Sequence, residues 1–81
     1  MRANRSYELI VSRGGRGPAV LADRARRDRV EIVEIETGEV VLFWDAEARH
    51  TGRLARALRA DLARLEADDF LERWRRWDPV G

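Results

Sequence analysis

The stretch from Arg29 to Asp45, RVEIVEIETGEVVLFWD, confines the chain more than any other. Val30 to Ile35 is rich in β-branched residues and Val40 to Trp44 is unbroken apolar, while Thr37-Gly38 between them is a turn pair in which Gly can take a positive φ. The pattern predicts a β-hairpin. Side chains alternate along a strand, so Val40, Leu42 and Trp44 point to one side and Val41 and Phe43 to the other, and both faces are apolar. On the first strand the apolar set Val30, Ile32, Val33 and Ile35 breaks alternation between Ile32 and Val33, which implies a bulge or a strand covered on both sides. A two-stranded ribbon is only marginally stable by itself, so a third strand and a helix are required.

Tyr7 to Val11 supplies the third strand, with Tyr7, Leu9 and Val11 on one face and Glu8 and Ile10 on the other. Before it, residues 1–5 read as a flexible polar arm carrying Arg2 and Arg5. After it, SRGGRGP (12–18) is a loop, and Ala19 to Arg27 is expected to be a short helix opened by Pro18, with a short strand at Ala19 to Ala22 as the rival.

Asp45 closes the hairpin and suits a helix N-cap, from which a helix is expected to run to about Ala67. Leu54, Leu58, Leu62 and Leu65 form its apolar stripe, and buried leucines contribute roughly 1.5 to 3 kcal/mol each. At about 100° per residue with Leu54 at zero, the leucines fall between about 0° and 80°, whereas Phe70, Trp74 and Trp77 fall near 160°, 200° and 140°. One straight helix cannot serve both stripes. Asp68-Asp69 followed by Glu72 resembles a capping box, so a break near Asp68 and a second helix over residues 70–77 are predicted, ended by Pro79.

Eighty-one residues fit one domain with a thin core, because a chain of this size buries only about 60 to 65% of its unfolded surface. The absence of cysteine excludes a disulfide framework and thiolate metal sites, no apolar run approaches membrane-spanning length, and no signal peptide is recognisable. All sixteen basic residues are arginine, which is first a mark of a GC-rich genome and second a supply of bidentate donors. The charge is uneven along the chain. Residues 1–29 carry eight arginines against three acids, residues 30–45 five acids and no base, and residues 46–81 eight arginines against seven acids. This asymmetry is expected to set the Arg13 end of the first strand near the hairpin glutamates.

The glycine loop with Arg13 and Arg16 lacks the GxxxxGK[ST] spacing of a phosphate-binding loop. His50, the single histidine, has no supporting metal or triad motif with Asp45, Glu47, Ser6 or Ser12, and no carboxylate pair is marked for acid/base work. The chain is therefore read as a non-enzyme without cofactor or metal.

The fold class expected is α+β: a small antiparallel three-stranded sheet, in β-α-β-β-α-α order, packed on a long C-terminal helix. Phe70, Trp74 and Trp77, with Arg73, Phe43 and Val41, are the candidate protein interface, since Trp and Arg are enriched at interface hot spots. In one version the aromatics cover the second face of the sheet beside Val41 and Phe43. In the other they bury against a partner. The expected role is a cytoplasmic protein-binding or assembly module, homodimeric. The alternative is a nucleic-acid binder contacting phosphates through Arg2, Arg5, Arg13, Arg16, Arg24, Arg26, Arg27 and Arg29.

Overall fold

The computed structural model describes residues 1–12 and 27–77. The hairpin is present. β2 (Arg27–Glu34) and β3 (Val40–Glu47) pair antiparallel, and β1 (Tyr7–Ser12) lies antiparallel on the other side of β2, giving the order β1-β2-β3. The turn depends on Gly38 at φ +76°, a conformation in which a Cβ would strain the backbone. Thr37 helps to close it: its hydroxyl donates to Glu34 Oε1 at 2.8 Å and accepts from the Glu39 N–H at 3.2 Å.

The alternation fault at Ile32/Val33 is a register shift. Ile32 faces Leu42 while Val33 faces Val40, so Val41 is the extra residue and the bulge lies on β3. Both hairpin strands run further than their apolar cores suggest. β2 begins at Arg27, which the sequence places at the end of a helix, and Asp28 and Arg27 pair with Ala46 and Glu47. Given these partners, β3 continues through Asp45, which is a strand residue and not a helix cap. The remainder of the helix or strand expected at 18–27 lies outside the described residues. β1 ends with Ser12 opposite Arg29, whereas Glu34 sits at its far end opposite Tyr7, so the end that leads to residue 13 is not the end near Glu34.

α2 (Ala48–Arg64) starts after Glu47, and α3 (Ala67–Arg75) follows a two-residue break. The break lies at Leu65 and Glu66, both in extended conformation at ψ 156°, a little earlier than predicted. Asp68 and Asp69 occupy the first turn of α3, where carboxylates favour the helix dipole, but no side chain caps its N-terminus. The reset at the break brings the two out-of-phase stripes onto one face of the sheet. Leu54, Leu58 and Leu62 join Val30, Ile32, Trp44, Phe70 and Trp74 in a single core, with Leu9, Leu42 and Leu65 at its margin.

The N-terminal arm is ordered, not free. Residues Ala3–Ser6 form one helical turn, α1, whose Ala3 is fully buried. The break explains this placement: it leaves the last carbonyls of α2 and the first N–H groups of α3 without helical partners. The arm supplies them. The Ala3 N–H donates to the Leu65 carbonyl at 2.9 Å, the Ala67 N–H donates to the Met1 carbonyl at 3.0 Å, and the Arg2 guanidinium donates to the Arg64 carbonyl. The Met1 ammonium donates to Glu66 Oε2 at 2.6 Å, and this hydrogen bond and charge hold the Glu66 carboxyl below its usual pKa.

Asp61 clamps the two helices. It is buried on α2 and accepts from Trp74 Nε1 at 3.0 Å, while Arg73 Nε and Arg64 Nη2 approach at 3.1 and 3.0 Å. Among the described residues no helix is long and apolar enough to cross a membrane.

Two outcomes are expected in urea unfolding. Asp61→Leu strands the indole N–H and both guanidinium contacts, so it lowers stability by about 2 to 3 kcal/mol, and Asp61→Asn, which still accepts from Trp74, loses less. The second concerns Tyr7. Burial, then Glu34 and Asp68, push its phenol above 10.0 against the opposing Arg75. A group that ionises later folded than unfolded keeps the fold at full stability below the unfolded pKa and loses that contribution as pH rises through the folded one. With no lysine or cysteine in the chain and Tyr7 its one tyrosine, Tyr7→Phe is expected to flatten the alkaline limb of the stability curve.

Candidate interaction surfaces

Both helices pack on one side of the sheet, and among the described residues no element covers the opposite face. Strand alternation puts Glu8 and Ile10 of β1, Arg29, Glu31 and Val33 of β2, and Val40 and Phe43 of β3 on that face. Ile10, Val40 and Phe43 are 38, 41 and 54% exposed. The Arg29 guanidinium lies over the Phe43 ring at 4.3 Å from its centroid and its Nε sits 3.3 Å from Glu31 Oε2. The face is therefore a small apolar patch with charges of both signs.

The candidate interface residues are divided by the fold. Phe70 and Trp74 are 0 and 6% exposed and belong to the core, Phe70 stacking on Tyr7 at 6.2 Å and Trp74 meeting Trp44 edge-on at 5.8 Å. Neither reaches the second face, and neither is open to a partner. Val41, turned by the bulge, is half-buried against the core, and Arg73 faces Asp61. That leaves Phe43 and Trp77 accessible. They do not lie together: Phe43 is on the open sheet face, whereas Trp77, 40% exposed and beyond the end of α3, contacts Trp44 and Trp74 at 5.8 and 5.3 Å.

Trp77 and Trp74 wall a groove of about 570 Å³ beside the N-terminal half of α2, with Leu54 and Ala57 also lining it. Arg27, His50 and Arg53 bring positive or ionisable nitrogen to it, and Asp45 and Glu47 bring carboxylates. Glu47 is engaged by Arg49 at 2.7 Å, with His50 Nε2 4.0 Å away. Among the described residues no three His, Cys, Asp or Glu side chains gather as a metal site.

The candidate nucleic-acid arginines are not assembled into one patch by the described structure. Arg2 is bonded at the helix break, Arg27 reaches the groove and donates weakly to the Asp45 carbonyl at 3.5 Å, and Arg29 covers Phe43. Arg5 is exposed at the end of α1, and Arg13, Arg16, Arg24 and Arg26 lie outside the described residues.

Sequence reasoning missed a different row. With Arg49 at zero and about 100° per residue, Arg53, Arg56 and Arg59 fall near 40°, −20° and −80°, while the buried Leu54, Leu58 and Leu62 centre near 180°. All four arginines are exposed on the water side of α2, and Arg53, Arg56 and Arg59 have no carboxylate partner among the described residues. The spacing of four, three and three was the available signal. No family model, curated protein or solved structure matches the chain.

The tryptophans are expected to separate by substitution. Trp74→Ala removes a core ring and the Asp61 bond and is expected to lower stability by about 3 to 5 kcal/mol, whereas Trp77→Ala loses edge contacts worth about 1 kcal/mol. Thermal or urea melts of the two variants check this order.

Proposed function

We propose that the protein is a non-enzymatic assembly module that pairs with a second copy of itself through the open face of its sheet. The observation that supports this reading is the exposed apolar patch of Ile10, Val40 and Phe43, left without a covering layer among the described residues. A second copy suits it because the flanking charges include Arg29 together with Glu8 and Glu31, so a two-fold contact can set the arginine of one copy against a glutamate of the other.

Geometry limits the strength of the pairing. Three strands about 4.8 Å apart and six residues long cover roughly 14 by 20 Å, well under the roughly 800 Å² that each partner contributes to a stable interface. The association is accordingly a reversible one. A chain without cysteine makes no use of an oxidising compartment, and the cytoplasm is the setting this reading assumes.

Sedimentation velocity from low to high micromolar concentration tests the proposal. The wild-type chain is expected to shift from monomer toward dimer, and Phe43→Glu is expected to stay monomeric with unchanged helical circular dichroism. A wild-type chain that remains monomeric throughout, or a Phe43→Glu chain that dimerises equally well, overturns it.

A further inference from the structure

We propose that the water side of α2 and the tryptophan groove form a binding site for single-stranded nucleic acid, with phosphates along Arg53, Arg56 and Arg59 and a base held in the groove against Trp77. This goes beyond self-association and uses a different surface, the water side of α2 and the end of the sheet beside it.

Three observations meet here. The first is the row of arginines, three of them without a carboxylate partner among the described residues, on a helix whose one acidic residue, Asp61, is buried and engaged with Trp74 and Arg73. Such a row presents fixed positive charge to solvent. The second is continuity. Arg53 belongs both to the row and to the groove, where Arg27 stands with it beside Asp45 and Glu47, so the cationic row joins the groove at Arg53. The third is the indole of Trp77, backed by Trp44 and Trp74 in edge-on contact and still 40% exposed. A cationic track beside an exposed aromatic platform is how proteins hold single strands without a sequence requirement.

Competing polyanions use less of this surface. A duplex keeps its bases stacked and offers none to a groove, whereas a single strand can splay one out. An anionic membrane favours a helix with large apolar residues flanking its basic face, and the exposed neighbours of these arginines on α2 are Gly52, Ala57, Ala60 and Ala63. The groove also carries Asp45 and Glu47, which cannot take phosphate but can accept from the exocyclic amine of a base.

The test is fluorescence anisotropy of a labelled cytidine or deoxycytidine oligonucleotide of about ten nucleotides, whose bases carry the exocyclic amine and whose length is within the usual footprint of single-strand sites. Intrinsic tryptophan emission is followed in parallel. Expected are quenching on binding and a log–log salt slope near −2, from about 0.7 per contact over three phosphates. The exposed triple variant Arg53→Gln, Arg56→Gln, Arg59→Gln is expected to weaken binding at least about ten-fold with its melting curve unchanged. Trp77→Leu is expected to weaken it about ten-fold and remove most of the quenching, with Trp77→Tyr restoring affinity, which a merely structural role for the indole would not predict. Phe43→Glu, on the far face, is expected to bind as wild type. No anisotropy change at low salt, an unaffected triple variant, equal or tighter binding of the matching duplex, or preference for phosphatidylserine vesicles over the oligonucleotide would each overturn the assignment.

Discussion

The break at Leu65 and Glu66 is the feature on which the rest of the molecule depends. A helix carried straight through it would aim its leucines and its aromatics in different directions, and one of the two stripes would lose its place on the sheet. Two extended residues re-aim α3 so that Phe70 and Trp74 come down beside Leu58 and Leu62. Such a break exposes backbone groups of both helix ends, and at this site they are met by backbone from the opposite end of the chain, through Met1 and Ala3. Asp61 then fixes the angle by taking the Trp74 indole N–H and two guanidinium contacts. Buried and multiply bonded, this carboxylate works as a joint, and removing one partner leaves others stranded.

Because both helices share one side, the described residues form two layers with two outer surfaces of different chemistry. The sheet face left uncovered among the described residues holds Phe43 beneath Arg29, with glutamates nearby. The free side of α2 holds arginines with small residues between them. Neither surface follows from composition, since net charge is close to zero and the apolar content is ordinary. Each arises from which faces the break has directed inward.

Much of the sheet was legible in the sequence. Alternation in Tyr7 to Val11, the Thr37-Gly38 pair and the fault at Ile32/Val33 are local features of side-chain period and turn conformation, and each appears in the strands and register. The leucine stripe was legible for the same reason. What was not legible is what depends on partners far away in the chain. Residues 1–5 look like a polar arm until the carbonyl of Leu65 is placed beside Ala3. Asp45 looks like a helix cap until Arg27 and Asp28 extend the ladder past it. Phe70 and Trp74 look exposed or destined for the second face because periodicity says which residues share a side, not which side meets which. Asp61 carries no sequence signal of burial. The arginines of α2 did carry one, but counting charge by segment averages them against the acids of α3 and hides the helical row.

The position of the two surfaces on opposite sides has a consequence for how the module would act. A contact across the sheet faces of two copies leaves the α2 side of each pointing away from the interface, because the helices lie on the far side of the same sheet. Pairing as proposed would therefore not block the arginine row; it would present two of them on one particle. For a flexible polyanion long enough to reach both, the second contact is made at the effective concentration set by the linking strand, and two weak contacts add to one durable one. A pairing face too small for a permanent dimer is then no defect, since a strand spanning both copies stabilises the pair it binds. Under the two proposals, the small apolar patch and the cationic row would be two halves of a coupled equilibrium, in which each favours the other only while both are engaged.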